Sequence, residues 1–299
     1  MVSSLLYRVI YQPQVNYVLR NLNKALFPKV KLPVSGTLDI ALKNGEKIKL
    51  ATNQTDYVAF IVFWKGVYQY EYLDIFEEVI RNCRGFVDIG ANAGLFSLIA
   101  AKVSPQMKVL AFDPSNASHY YLNKNVQLNH LGDKIKTFKA ALSDRVEELE
   151  FFEVKNPKYR YLKYNLGGSS SLYVKPKQFS KYKVQSITLD ALLQDPAYAA
   201  MPIDFVKIDA EGAEPSIIRG MRETIQKHKP IIVCEILFGL IENELESVMK
   251  EHGYGFYLHL NHKLKPVSTL AREEDNGATN CFLVHPQKLH LVQAYIQAA

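Results

Sequence analysis

Cysteines and long apolar runs are scarce in this chain of 299 residues, and each absence excludes a class of protein. The three cysteines, Cys83, Cys234 and Cys281, have neither zinc-ligand nor redox-pair spacing. Two of them lie in apolar runs, which predicts buried thiols in a reduced, cytoplasmic protein. No run approaches the roughly 18–20 apolar residues of a transmembrane segment. Polar residues interrupt residues 1–20 too often for a secretory signal.

Acidic residues are missing from two long segments, although the chain has 30 acidic against 36 basic side chains. Residues 1–38 contain five Lys or Arg, and residues 154–189 contain eight, with no acid in either segment. Such clusters can indicate an anionic partner or a solvated positive face. A net charge of +6 is low for a nucleic-acid-binding protein, so we expect no nucleic acid partner.

The order of apolar patterns predicts one α/β domain with an N-terminal extension. Residues 36–63 alternate as short strands around an Asn44-Gly45 turn. Further along, apolar strands alternate with helices, one of them over 213–226. This alternation predicts a Rossmann-like, mostly parallel seven-stranded sheet with helices on both faces and an antiparallel edge strand. The predicted segments are 1–37 (helical extension), 38–84 (strands and a helix packing on the core), 85–286 (main domain, with 154–183 as a basic, tyrosine-rich insertion) and 287–299 (C-terminal helix).

A glycine-containing turn follows the first strand of the main domain, from Asp88 to Gly94. At the carboxyl edge of a parallel sheet, Gly90 and Gly94 would let a ligand approach the main chain. Asn92 replaces the second glycine of the dinucleotide fingerprint, and the Asp88 carboxylate would repel phosphates. The same carboxylate suits an ammonium group, so the loop favours S-adenosylmethionine over a dinucleotide.

A second carboxylate supports the same ligand. Asp113 ends the next strand, where an acid commonly accepts hydrogen bonds from two ribose hydroxyls. The adenine is then expected at the end of the third strand, beside Ala141 and Leu142.

Further carboxylates cluster where two later strands end. Asp209, Glu211 and Glu214 surround a turn, and Glu235 ends the following strand at the same edge. Crowded like charges raise at least one pKa, as a general base requires, although the helix macrodipole alone would explain Glu214. A divalent cation held by these carboxylates is an alternative. No histidine completes a ligand set, so we expect no metal.

These motifs resemble the FkbM-type methyltransferases, class I S-adenosylmethionine enzymes that O-methylate sugars and natural products. The resemblance covers roughly residues 38–286, and its most specific part is KIDAEGAE, over 207–214. It implies a class I methyltransferase fold for 85–286, S-adenosylmethionine as cofactor and a cofactor contact at Glu71. Asp113 departs from the glutamate more common in the family. The motifs are FVDIGANAGLFS (86–97), AFDP (111–114), AALSD (140–144), GGSSSL (167–172), SITLD (186–190), DFVKIDAEGAE (204–214), IIVCEI (231–236) and NCFLV (280–284).

Methylation of an alcohol requires a base, and Asp209, Glu211 and Glu214 are candidates, with Glu211 the first choice. The tyrosines and cations of 154–183 predict a small-molecule or glycan acceptor, which could be anionic. A solvated hairpin is the alternative for this insertion. The predicted acceptor contacts are Arg160, Tyr161, Ser169, Ser170 and Glu235.

Two other functions stay open from the sequence alone. Basic and aromatic residues together also suit single-stranded RNA, but no Asn-Pro-Pro-Tyr-like base-methylation motif occurs. A non-catalytic binding module could retain the same fold. Residues 1–37 could serve as a lid, a homo-oligomer contact or an interfacial helix, with packing against the domain as the default.

Overall fold

The computed structural model describes residues 2–167, 170, 172 and 177–297. No helix within these ranges combines the length and the apolar character needed to cross a membrane. In chain order the elements are α1 (Val2–Ile10), α2 (Pro13–Leu26), β1 (Gly36–Ala41), β2 (Lys47–Thr52), α3 (Tyr57–Lys65), α4 (Leu73–Ile80), β3 (Gly85–Ile89), α5 (Leu95–Val103), β4 (Lys108–Phe112), α6 (Asn116–Leu128), β5 (Ile135–Phe138), β6 (Ala141–Leu142), β7 (Glu148–Val154), β8 (Phe179–Ile187), α7 (Leu189–Leu192), β9 (Phe205–Ile208), α8 (Glu214–Arg219), α9 (Arg222–His228), β10 (Ile231–Glu235), α10 (Glu242–Lys250), β11 (Gly255–Leu260), β12 (Lys263–Val267) and β13 (Asn280–Val284).

The central sheet has eight strands within the described ranges, in the order β12-β11-β13-β10-β9-β3-β4-β5. Strands β10, β9, β3, β4 and β5 run parallel, so the predicted mostly parallel α/β fold is confirmed. Strand β13 is antiparallel to both β10 and β11. The predicted count of seven strands is one too low, because a tight turn at Asn261-His262 adds β12 beside β11. The antiparallel part of the sheet therefore consists of β13, β11 and β12 rather than of one edge strand.

Chain order reverses between β3 and β9, which pair side by side at the middle of the sheet. In open α/β sheets the crevice at the carboxyl ends of such strands is where ligands bind. The topology alone therefore places a binding crevice at the ends of β3, β4, β9 and β10.

Both faces of the sheet are covered, as its strand sequences predict. All five residues of β3 are buried. Phe86 belongs to the core on one face, whereas Val87 belongs to the core on the other. On the first face, the Phe76 ring of α4 packs edge-on against Phe96 and Phe205, with centroids 5.0 and 5.3 Å away. The three cysteines are buried free thiols, as the sequence predicts.

Two local predictions are corrected by the structure. Residues from Tyr57 onward form a helix rather than a strand, because Asp56 accepts a hydrogen bond from the Ala59 N–H (3.0 Å) and caps α3. The helix predicted over 213–226 divides into α8 and α9 around Gly220. A Cβ on Gly220 would lie 2.0 Å from the Ser143 carbonyl oxygen, so two chain segments meet there.

The basic insertion connects two paired strands of a small separate sheet, and its last residues form the start of β8. Strand β7 pairs antiparallel with β8, which also pairs with β6. Within the ladder, Lys181 pairs with Glu150 and Lys183 with Glu148. Part of the positive charge of 154–183 is therefore balanced locally.

At the other end of the chain, where a C-terminal helix is predicted, Pro286–Leu291 and Gln293–Tyr295 form short 3-10 helices.

Candidate active site

A crevice of about 340 Å³ lies at the carboxyl ends of β3, β4, β9 and β10. One end of the crevice is apolar, and the other is lined by carboxylates. Its described lining includes most of the residues predicted to bind the cofactor. These are Glu71, Gly90, Asn92, Asp113, Ala141, Leu142 and Asp209.

The glycines after β3 serve close packing of the main chain. Gly90 has a φ of +72°, and a Cβ there would lie 1.8 Å from the Asp209 carbonyl oxygen. Gly94 has a φ of +89°, and a Cβ there would lie 2.6 Å from the Leu122 side chain. Gly90 lines the crevice, whereas Gly94 closes the packing of α5 on α6 and is not among the described lining residues. The packing against Leu122 is therefore a structural reason for a glycine at position 94.

Asp88, which is predicted to contact the cofactor, is not among the described residues that line the crevice. Asp88 is fully buried, and its Oδ2 accepts a hydrogen bond from the Ser97 hydroxyl (2.6 Å). Its Oδ1 lies 3.9 Å from the Lys207 ammonium. A carboxylate at the end of a strand can point to either side of the sheet edge, and here Asp88 points into the core.

Lys207 was missed as a functional residue, although it lies in the specific KIDAEGAE motif. Its Nζ donates to the Gly90 carbonyl (3.2 Å) and to the Asp209 carboxylate (3.2 Å). Burial lowers its pKa, but the charges of Asp209, Asp88 and Glu71 outweigh burial and raise it. Lys207 therefore stays charged and ties the glycine turn to the end of β9. A lone lysine in the otherwise apolar strand FVKI was the available signal, because a buried ammonium requires partners.

Asp113, which is predicted to bind the ribose, lines the crevice and accepts two main-chain hydrogen bonds. Its Oδ2 accepts from the Asn92 N–H and its Oδ1 from the Ser115 N–H, both at 2.9 Å. Burial raises its pKa to about 7, although both hydrogen bonds oppose the shift. Because a carboxylate oxygen can accept more than one hydrogen bond, Asp113 keeps acceptor capacity toward the crevice. Beside it, Phe112, Ala141 and Leu142 form the apolar end.

Glu71 lies in the crevice wall, and its main chain has a strained conformation. Its φ of +47° falls in the left-handed region, which is uncommon for a residue with a side chain. Burial and the charge of Asp209 raise its pKa to about 7, against the opposing charge of Lys207. The neighbouring Tyr70 also lines the crevice and hydrogen-bonds to Glu71.

Three carboxylates converge at the acidic end. Carboxylate oxygens of Asp209, Glu211 and Glu235 lie within 4.8 Å of one another. Burial and the charges of Asp209 and Glu214 raise the pKa of Glu211 to about 7. Burial and the charges of Asp209 and Glu211 raise that of Glu235 to about 9. The spacing matches the cation alternative considered from the sequence, but protonation of Glu235 relieves the same repulsion without an ion.

Glu214, which is predicted as a candidate base, binds the main chain of the turn and is not among the described lining residues of the crevice. Its Oε1 accepts from the Ala210 N–H (2.8 Å), and its Oε2 accepts from the Gly212 N–H (3.0 Å). Glu214 is buried in the first turn of α8, as the macrodipole interpretation predicts. These bonds hold the loop that carries Glu211, whose φ is +53°.

The predicted acceptor contacts divide into two groups. Ser170 and Glu235 line the crevice, together with Tyr57, which was not predicted. Arg160 is exposed, and neither it nor Tyr161 is among the described lining residues. Instead, the Tyr161 hydroxyl accepts from the Gln54 amide (2.8 Å), and the Arg8 guanidinium lies 5.2 Å from its ring. The remaining prediction, Ser169, lies outside the described residues.

Two relatives and one solved structure illustrate what this chain is similar to. The chain is 27% identical over 230 residues to Methyltransferase sdnD of Sordaria araneosa, covering 67% of this chain and 87% of that protein. It is 30% identical over 115 residues to the antimetabolite synthetase AmbE of Pseudomonas aeruginosa, covering 38% of this chain but 5% of that protein. A crystal structure of an FkbM methyltransferase from Methylobacillus flagellatus has 15% identity and a TM-score of 0.44. That match covers 68% of this chain and 44% of that one.

The family match covers the elements that build the crevice. Residues 88–256, more than half of the chain, match the family described as the methyltransferase FkbM domain. This range begins at the glycine turn after β3 and includes the acidic ends of β9 and β10. The chain therefore belongs to the FkbM methyltransferase domain family.

Proposed function

We propose that this protein transfers a methyl group from S-adenosylmethionine to a hydroxyl oxygen of a sugar, a glycan or another natural product. The observation that carries the proposal is the convergence of Asp209, Glu211 and Glu235 in the same crevice as Asp113. Alcohol methylation needs a cation-binding wall, a proton acceptor and room for a second molecule. The crevice contains candidates for each.

The crevice residues fit the chemistry of S-adenosylmethionine from end to end. When bound, this donor supplies an electrophilic methyl group on a positively charged sulfur. Asp113 would accept the ribose hydroxyls, and the apolar surface of Phe112, Ala141 and Leu142 would cover the adenine. Glu71 and Asp209, rather than the buried Asp88, would then face the cationic part of the donor.

We assign the general base to Glu211. Its pKa of about 7 lies near working pH, where a base combines a useful ionised fraction with enough proton affinity. Asp209 is a weaker candidate because its carboxylate is bound to Lys207. Glu235, with a pKa of about 9, is protonated at neutral pH and would donate a hydrogen bond to the acceptor.

The relatives support a small acceptor. One is named an antimetabolite synthetase, and its matching segment is a small part of a much longer protein. The apolar and tyrosine-lined side of the crevice, at Tyr57, Tyr70 and Leu172, suits the faces of a sugar or a natural product better than a polyanion.

The test is methyl transfer from tritiated S-adenosylmethionine into glycan and small-molecule fractions, with wild type and Glu211→Gln. Positioned bases typically contribute 10²–10⁴-fold, so we expect kcat to fall by at least about 100-fold. Affinity for the demethylated product should stay within about twofold, because Gln keeps the size of the side chain. The exposed Glu273→Gln is the matched control and should behave as wild type.

The pH dependence gives a second readout. Below about pH 7 Glu211 holds its proton, so wild-type kcat should rise with pH through that value. The rising limb should be absent from Glu211→Gln. Full activity of Glu211→Gln with unchanged donor binding would remove Glu211 from the mechanism.

A further inference from the structure

Helix α2 packs against the protein with its polar side inward. The Arg20 guanidinium is 2% exposed and donates to the carbonyls of Ser35 (Nη1, 2.8 Å) and Thr37 (Nη2, 2.9 Å). One turn earlier, the Asn16 amide donates to the Pro33 carbonyl (3.1 Å) and is also buried. Polar side chains thus hold α2 against the segment that leads into β1.

The opposite side of α2 is apolar and faces outward. Val18, Leu22 and Leu26 recur every fourth residue, so they share one helix face, and they are 54%, 52% and 65% exposed. A surface helix of a globular protein normally turns such a face to the core. A reversed arrangement indicates a surface that binds something else. Other exposed apolar residues of this region are Leu5, Leu6, Val9, Leu19, Phe27 and Val30.

The charge around this apolar surface has one sign. Residues 1–38 contain no acid, and the four basic side chains other than the buried Arg20 are exposed, namely Arg8, Lys24, Lys29 and Lys31. Helix α1 also contacts the basic insertion, because the Lys158 ammonium lies 4.8 Å from the Tyr7 ring. Exposed Lys163 lies two residues after Tyr161, whose ring is 5.2 Å from the Arg8 guanidinium of α1.

We propose that α1 and α2 form an interfacial anchor for the surface of an anionic phospholipid bilayer. The apolar stripe of α2 would enter the boundary between headgroups and acyl chains, and the surrounding Lys and Arg would contact the anionic headgroups. A second copy of this chain fits the surface less well, because self-association would bring acid-free segments together. The anchor is independent of the proposed methyl transfer.

The test is co-sedimentation of the full chain with vesicles of phosphatidylcholine containing about 30% phosphatidylglycerol. We expect binding to these vesicles, and at least tenfold weaker binding to pure phosphatidylcholine or in about 1 M salt. The double variant Leu22→Asp/Leu26→Asp should lose at least about tenfold in affinity. The matched control Val146→Asp/Leu240→Asp changes two apolar residues, each 65% exposed, outside the anchor and should bind as wild type.

A second variant, Lys29→Glu/Lys31→Glu, changes charge without touching the apolar stripe and should also weaken binding. Unchanged urea midpoints in all variants would show that the fold is intact. Absence of wild-type binding to anionic vesicles, or equal binding by Leu22→Asp/Leu26→Asp, would overturn the proposal. Wild-type dimers that this variant dissociates, with no vesicle binding, would instead identify a second copy as the occupant.

Discussion

Replacing Lys207 by methionine tests the electrostatic centre of the site. The Lys207 side chain is 4% exposed, with its Nζ 3.2 Å from Asp209 and 3.9 Å from Asp88. Methionine has similar length but no charge, so the buried Asp88 carboxylate would lose its cationic partner and keep the hydroxyl and main-chain N–H of Ser97. Removing one member of a buried ion pair costs about 3–5 kcal/mol. We therefore expect Lys207→Met to lower the free energy of unfolding by about 3 kcal/mol or more at neutral pH.

The loss of unfolding free energy in Lys207→Met should depend on pH in a definite direction. Burial raises the Asp88 pKa in the native state, and loss of the ammonium would raise it further. An acid whose native pKa lies above its unfolded value, about 3.9 for Asp, makes folding less favourable as pH rises through that interval. Lys207, with its pKa raised, does not titrate in this range. The deficit of Lys207→Met should therefore be smaller at pH 5 than at pH 8.

The assay is urea unfolding, followed by fluorescence of Trp64, at both pH values. Lys134→Met is the matched control, because Lys134 is half-buried and donates to the main-chain carbonyls of Ala101 (2.8 Å) and Ser104 (3.4 Å). Its loss should cost about 1 kcal/mol at either pH. A Lys207→Met deficit no larger than this, or equal at both pH values, would refute the electrostatic reasoning.

Two further predictions concern Gly90 in the glycine turn and Asp113 after β4. Gly90→Ala should destabilise the protein by at least about 2 kcal/mol, because its Cβ would collide with the Asp209 carbonyl. Gly45→Ala is the control, because φ is also positive there but the space is open, and its loss of stability should stay near 1 kcal/mol. Equal losses of stability in Gly90→Ala and Gly45→Ala would contradict the predicted clash. Asp113→Ala should weaken binding of S-adenosylhomocysteine by at least about tenfold in calorimetry, since it removes the acceptor assigned to the ribose. Unchanged affinity would exclude that assignment.

The sheet was predictable because its strands are short apolar runs ending in distinctive residues. FVDI, VLAF and FVKI are buried on both faces. Because these strands are parallel, their carboxyl ends lie at one edge of the sheet, independently of the exact helix bounds. The close packing at Gly220, where the helix breaks, was not predictable, because the main chain that approaches it belongs to the distant Ser143. The extra strand β12 was missed because KLKPV has few apolar residues, as expected at an exposed edge.

For the site, position in the sequence predicted which carboxylates gather but not where each one points. Asp113 and Glu211 line the crevice, whereas Asp88 faces the core and Glu214 binds main-chain N–H groups. All four lie at or shortly after the carboxyl ends of strands, and only tertiary packing distinguishes them. Lys207, which pairs with Asp88 and Asp209, was visible as a lone charge in an apolar strand.

The most direct test of the central claim is calorimetric titration of the purified protein with S-adenosylmethionine and with S-adenosylhomocysteine. The crevice between Asp113 and the acidic ends of β9 and β10 predicts saturable binding of both at one site per chain. Saturable binding of NAD with no heat from either of these ligands would contradict it.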